Sequence, residues 1–353
     1  MIAQEDSSDW LTREHAGLIA QVEVVESEAR QRGIRLPPIT PAKSHDSRDT
    51  QMLVAGTIGP VSAVSLLDAY EDRFNSGSMP QLIRQKAALD GIEVGAGLIT
   101  VIGAPPGAGK TALASQVAFD ACELDPNQIV YNLNAEMSFD ALLRRQITKA
   151  TRIASDKVRF GHLSDAELSH VKQACELLRS KLDRFSIYEN PGMGSLLDLL
   201  GQPPGLIVVD YLQKFAPADQ DVRHGVNAVM TMLRRLANAG HAVLALSATK
   251  RSVKGTHDSK ELSLSSFKES GEVEFNADSA YVLRDDGPID SGCQYIRRMT
   301  LGHVKNRHGA KVDRALEFHM PRMEFTAPAP TVHEEFAQYA DDGDPSNPFG
   351  GSV

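Results

Sequence analysis

The run Ala104-Pro105-Pro106-Gly107-Ala108-Gly109-Lys110-Thr111 has the residue types and spacing of a phosphate cradle. It follows an apolar stretch and leads into Ala112, Leu113 and Val117, so it stands where a strand gives way to a helix. Gly107 and Gly109 allow backbone N–H groups to turn inward onto anionic oxygens, and the helix start adds the positive end of its dipole. The pattern is [AG]xxxxGK[ST], with Ala104 in the first position. Lys110 is then placed to reach the β- and γ-phosphates, and the Thr111 hydroxyl to sit on Mg²⁺. Residues 104–112 are therefore expected to hold ATP with Mg²⁺.

Two carboxylates could complete this chemistry. Asp210 ends the apolar run Leu206-Ile207-Val208-Val209-Asp210. At the end of a buried strand beside the cradle it would hold the water shell of Mg²⁺; taken alone, such an Asp is more often a cap. Glu136 ends the next strand, in LNAEMS. It would orient or deprotonate an attacking water, since the cradle supplies no base. The same position also suits a plain helix N-terminal acid, favoured by the dipole.

These residues need a sheet to hold them. Strands are expected at 98–104, 129–133, 185–189, 206–210, 242–247 and 280–284, then one ending near Lys305 and one at 315–319. Helices are expected at 111–123, 139–154, 165–182 and 225–239. Ser164 and Glu167 form a capping box for the third, and Gly240 is a C-cap for the fourth. Strands separated by helices of this length predict an α/β fold: a mostly parallel central sheet with helices on both faces. The last strands follow one another without helices and are expected to form an antiparallel edge. Upstream, an amphipathic helix is expected at Val61–Arg73 and another over residues 9–32, joined by a Pro- and Ser-rich linker. Residues 1–55 thus read as a helical extension with linker, and 56–325 as one helix plus the α/β domain. Residues 326–353 read as a disordered acidic tail, more readily a solubilising end than a segment whose Phe336, Tyr339 and Phe349 occupy a partner's pocket.

Composition narrows the class. The 353 residues are 42% hydrophobic and 24% charged, as in ordinary globular chains. No apolar run is long enough to span a bilayer, and the acidic start lacks a signal core, so no membrane is expected and the cytoplasm is. Cys122, Cys175 and Cys293 are scattered and read as core thiols rather than a disulfide or zinc framework. The net charge is −9, but residues 56–325 hold 32 acids against 31 bases. That balance excludes a broad cationic surface and still allows a local basic strip for nucleic acid.

Beyond the cradle, NLNAEMSFDALLRRQ (132–146), LIVVDYLQ (206–213), ALSATKRS (245–252), SFKESGEVEFNADSAYVLRDD (266–286) and GHVKNRHG (302–309) occur in order. Together they resemble the C-terminal RecA-like ATPase domain of DnaB-type hexameric replicative helicases, over about residues 60–325. The resemblance implies a RecA-like P-loop NTPase fold with Glu136 as catalytic glutamate and Asp210 as the Mg²⁺-associated aspartate. Lys305 and Arg307 fall on the basic pair that reaches the γ-phosphate of a neighbouring subunit. Two residues apart on a strand, they would share one face; as bare sequence they also read as charges on an exposed edge strand. Lys268-Glu269-Ser270-Gly271 matches the loop that holds single-stranded DNA, with Lys250, Arg251 and Lys254 adding to a basic lining; as bare sequence it also reads as a solvated charged loop. The helix Val61–Arg73 resembles the linker helix packed on the adjacent subunit, or else covers its own chain.

The chain departs from this pattern in three places. Residues 1–59 are too short for the family's helical N-terminal domain, a strand-end glutamine is replaced by Ala248, and the loop arginine by Lys268. KNRHG also resembles the KNRFG motif of RadA-type recombination ATPases. The function expected is a ring-forming, ATP-dependent DNA helicase or translocase, a homo-oligomer and by resemblance a hexamer, working with other replication or recombination proteins. The alternative is a RecA-like accessory ATPase that binds DNA or a protein without unwinding, in plasmid, phage or recombination pathways.

Overall fold

The computed structural model describes residues 62–216, 222–249, 267, 275–290 and 293–328. The expectations for residues 1–55, for Lys250, Arg251, Lys254, Lys268, Glu269 and Gly271, and for the tail beyond residue 328 lie outside the described residues.

In chain order the elements are α1 (Ala63–Asn75), β1 (Ile99–Ala104), α2 (Lys110–Leu124), β2 (Val130–Asn134), α3 (Phe139–Thr151) and α4 (Ser155–Phe160). There follow α5 (Asp165–Leu182), β3 (Phe185–Tyr188), α6 (Met193–Asp198), β4 (Leu206–Asp210), α7 (Leu212–Phe215) and α8 (Val222–Asn238). The chain continues through β5 (Ala242–Ala248), β6 (Ser279–Asp290), β7 (Cys293–Asn306), β8 (Arg314–His319) and β9 (Glu324–Thr326).

Among the described residues, nine strands form one sheet in the order β3-β2-β4-β5-β1-β6-β7-β8-β9. The first six are parallel neighbours, and β6 to β9 pair antiparallel. This is the expected sheet with its antiparallel edge. Alternation along the central strands explains the two layers of helices. Ile102, Val208, Leu244 and Leu246 face Leu113 and Val117 of α2 and Leu178 of α5. Their neighbours Val101, Ile207, Val209, Val243 and Ala245 face Leu196 of α6, Phe215 of α7 and Leu233 and Leu236 of α8. Both faces are covered, so the strands read as continuous apolar runs.

Local signals set the helix ends. The Ser164–Glu167 capping box is formed as expected. After α8, Gly240 takes φ 97, with its N–H on the Ala237 carbonyl and the His241 N–H on that of Leu236. That paired pattern closes the helix and aims the chain into β5.

The elements depart from expectation in several places. The helix expected at 139–154 stops at Thr151, because Arg152 turns left-handed at φ 60, and resumes as α4. β6 runs on past Arg284 through Asp285, Gly287 and Pro288, carried by its hairpin partner β7 and by register shifts that absorb the turn residues. Strand β9 and the short helices α6 and α7 were not expected. Finally, α1 is shifted by two residues and none of its residues is buried; Val64, Leu67, Tyr70 and Phe74 are all exposed. It does not cover its own chain among the described residues. No helix among those residues is long and apolar enough to cross a membrane.

Candidate nucleotide site

β1 ends at Ala104, and residues 105–109 make a tight loop into α2. Gly107 and Gly109 adopt φ 81 and 92, a region open to glycine and strained for other residues. Gly109 caps α2 without any side-chain hydrogen bond. A glycine cap offers the first-turn amides no side-chain acceptor, and amides so placed suit an anion. The Lys110 ammonium folds back onto the Ala104 carbonyl at 2.8 Å and that of Pro105 at 3.3 Å. Burial lowers its pKa, while the charges of Asp210 and Glu136 oppose that shift. An incoming phosphate would take over donors that now rest on neutral carbonyls.

Asp210, at the end of β4, is 1% exposed. Its Oδ2 accepts from Thr111 Oγ1 at 2.7 Å and from Asn134 Nδ2 at 3.2 Å. Its Oδ1 is buried with no hydrogen-bond partner. Burial pushes its pKa up to about 6, against the Thr111 hydrogen bond. A carboxylate and a hydroxyl offering hard oxygens, one of them orphaned, fit Mg²⁺ as a bound cation. Among the described residues no cluster of His, Cys, Asp and Glu builds a separate metal site.

Asn134 ends β2 opposite Asp210 in register. Its Oδ1 accepts the N–H groups of Glu136 and Met137 at 2.9 and 2.8 Å. Its other side-chain end holds Asp210, so one residue ties the turn carrying Glu136 to the carboxylate under the cradle. Glu136 itself is exposed and lines a cleft of about 310 Å³ with Asn134, Tyr188, Glu189 and Asn190. Arg145 of α3 brings a half-buried guanidinium whose charge both Asp210 and Glu136 feel. Neither Asn134 nor Arg145 was singled out from sequence. The signal for Asn134 was available: an Asn just before a turn commonly accepts backbone N–H groups two residues on.

At the end of β5, Ala248 pairs with Ala104 and carries no side-chain amide. Gln213 supplies one from α7, donating to Ser247 Oγ at 3.0 Å and accepting from the Ala248 N–H at 3.4 Å. This residue too was unassigned in sequence.

The basic pair sits elsewhere. Lys305 lies in β7, whereas Arg307 is one residue past its end. The two do not simply share a strand face, because Arg307 turns to Asp278 and to the Phe275 carbonyl. Asp278 also accepts the Ile99 N–H at the start of β1. The cradle begins at the other end of β1, about 17 Å away along the strand. Lys305 and Arg307 are therefore not brought together with Lys110, Thr111, Glu136 and Asp210.

Known proteins share this arrangement of elements. A solved structure described as an ATPase domain aligns with a TM-score of 0.63 at 21% identity, covering 77% of this chain and all of that one. A DnaB-like replicative helicase, described with its interactions with primase, aligns at 0.61 and 20% identity over 91% of this chain and 78% of that one. At such identity these two show the fold alone. In sequence, a probable plasmid replicative DNA helicase of Chlamydia trachomatis serovar L2 is 28% identical over 245 residues, covering 67% of this chain and 52% of the relative. The replicative DNA helicase DnaB of Synechocystis sp. is 26% identical over 275 residues, covering 76% of this chain and 30% of the relative. The chain thus spans about half the length of the first of these relatives and less of the second. The family model described as the DnaB-like helicase C-terminal domain matches residues 86–327. With well over half of its residues in that match, the chain belongs to the DnaB-like helicase C-terminal domain family.

Proposed function

We propose that the chain is an ATP-dependent DNA helicase or translocase of the DnaB type, assembling as a homo-oligomeric ring and hydrolysing ATP between subunits. One observation carries this reading. The cradle and its carboxylates stand at one end of the parallel sheet, and the basic pair at the other. A basic pair so placed reaches a nucleotide only in a second copy. Such a head-to-tail contact is heterologous, closing as a ring or running as a filament; a ring, and by resemblance a hexamer, is the form proposed. The exposed apolar face of α1 supports the same geometry, as a surface for the adjacent subunit.

Each residue then has a role. Residues 104–112 cradle the triphosphate, and Lys110 leaves its carbonyls for the β- and γ-oxygens. Thr111 and Asp210 would hold Mg²⁺, which supplies charge neutralisation to those oxygens when bound. Glu136, set by Asn134, orients the attacking water and receives its proton. Lys305 and Arg307 of the next subunit stabilise the charge that develops on the transferred phosphoryl group. Lys250, Arg251, Lys268, Glu269 and Gly271 would hold the backbone of single-stranded DNA, and replication or recombination proteins are the expected partners, in the cytoplasm.

The test is ATP hydrolysis with and without single-stranded DNA, for the wild type and Lys268→Ala. Strong stimulation lost in the variant is expected; hydrolysis indifferent to DNA would refute a DNA-driven motor. A second reading, an accessory ATPase that does not unwind, is favoured by Ala248 at the strand end. Strand displacement on a forked substrate separates the two.

A further inference from the structure

Asp278 is 4% exposed, and a buried carboxylate must be paired. Three elements converge on it. Its Oδ2 accepts from the Ile99 N–H and from the Arg234 guanidinium of α8, both at 2.8 Å. Its Oδ1 lies 3.3 Å from Arg307 Nη1, and its carbonyl accepts the Arg307 N–H at 2.9 Å. The other end of the Arg307 fork donates to the Phe275 carbonyl. Arg234 grips the same segment, donating to the Asn276 carbonyl at 2.6 Å.

The next residue holds the other half of the basic pair. The Val312 N–H donates to His303 Nδ1 at 3.2 Å. The proton of the neutral ring is then on Nε2, which donates to Ser279 Oγ at 2.7 Å. The Ser279 hydroxyl donates in turn to the Lys305 carbonyl at 3.3 Å. The dipeptide Asp278-Ser279 therefore anchors the backbone of Lys305 and both the backbone and the side chain of Arg307.

We propose that Asp278 is the positioning residue of the basic pair, holding Arg307 pre-ordered at the subunit edge for the nucleotide of the neighbouring copy. An arginine left free loses side-chain entropy when it is fixed. Here that ordering is done before contact. The Arg307 side chain is still 44% exposed, and a guanidinium has five N–H donors, so some remain for phosphate. The inference rests on the reading that Arg307 acts across the interface.

The test is complementation between two variants. Lys110→Ala disables the cradle and leaves the basic pair intact; Asp278→Asn is the reverse. Each alone is expected to lose hydrolysis at least tenfold, with Asp278→Asn still binding a fluorescent ATP analogue as the wild type does. In an equal mixture, about a quarter of heterologous interfaces join an intact cradle to an intact pair. Hydrolysis is expected to recover to about that fraction. A residue needed only for its own subunit's fold would give no recovery. Arg307→Ala mixed with Lys110→Ala is the reference. Recovery there but not with Asp278→Asn overturns the role of Asp278 and leaves the shared site standing. No recovery in either mixture overturns the shared site, and the inference with it. Wild-type turnover by Asp278→Asn alone also overturns the inference. Should Asp278→Asn fail to fold, Asp278→Glu, which keeps the charge but displaces it by one methylene, is read in the same mixtures with the same outcomes.

Discussion

Thr111 Oγ1 donates a 2.7 Å hydrogen bond to Asp210 Oδ2, joining the first turn of α2 to the end of β4. The bond uses one carboxylate oxygen and leaves the other buried and unpartnered. A full charge in such a place is costly without a counter-charge. The buried, unpartnered oxygen thus costs the fold stability, and it is an oxygen that a bound cation would satisfy.

Asp210→Asn should therefore stabilise the ligand-free protein while disabling it. The folded pKa of about 6 stands above the ordinary 3.8. A raised carboxyl contributes stability below the unfolded value, and that stability is lost as pH rises through the folded one. In melts with chelator, the variant should exceed the wild type at pH 8 by at most about 3 kcal/mol, and the gap should close near pH 4. Hydrolysis should fall by about 100-fold or more. Coincident melts at pH 8 would show that Asp210 is not strained by burial.

Gly109→Ala should damage both fold and binding. The residue needs φ 92, and a Cβ there would meet Phe325 at 3.0 Å and Phe318 at 3.1 Å. Those rings stack with centroids 4.4 Å apart, and β9 is tied to α2 by the Gln116 amide, which bonds the Phe325 carbonyl and N–H at 2.8 and 2.9 Å. The rings cannot yield without pulling β9 from the helix. A loss of about 1–3 kcal/mol is expected by denaturant titration, with weakened ATP binding. Gln116→Ala should reproduce the stability loss and spare most of the binding; equal losses of binding would contradict this separation.

What sequence revealed and what it hid have one physical cause. β4 is legible because Leu206–Val209 is buried on both faces and reads as an apolar run. The Ser164–Glu167 box and the Gly240 turn are legible because their hydrogen bonds span a few residues. The cradle is legible for the same reason. The Gln116–Phe325 lock joins residues 209 apart, and β9 is too short to announce itself. Asn134 and Arg145 matter only because β2 and α3 bring them to Asp210. In sequence Asp278 is one acid among several in a charged stretch. Its importance lies in the three elements that meet there.

Away from the site, Asp120 of α2 should make stability depend on pH in the same sense. Burial raises its carboxyl, and Lys149 only partly opposes this from 3.8 Å; its Oδ2 has no hydrogen-bond partner. The contribution is present at low pH and lost as pH rises through the raised value. Asp120→Asn should therefore flatten the decline of Tm as pH rises above the ordinary carboxylate value, with catalysis unchanged. An unaltered Tm–pH profile would show that Lys149 compensates fully.

Arg307→Ala tests the shared site most directly. The side chain touches no residue of its own cradle, so ATP affinity should stay within about twofold of wild type. Turnover should fall by about 1,000-fold or more, the range found for a cation supplied across an interface. Loss of the Asp278 contact leaves a buried carboxylate still held by Arg234 and the Ile99 N–H. The cost in stability should thus be modest, about 1 kcal/mol. ATPase rates, a nucleotide titration and a melt on the same preparation separate these effects. Full turnover would remove Arg307 from the chemistry; parallel loss of affinity and stability would make it a fold residue instead.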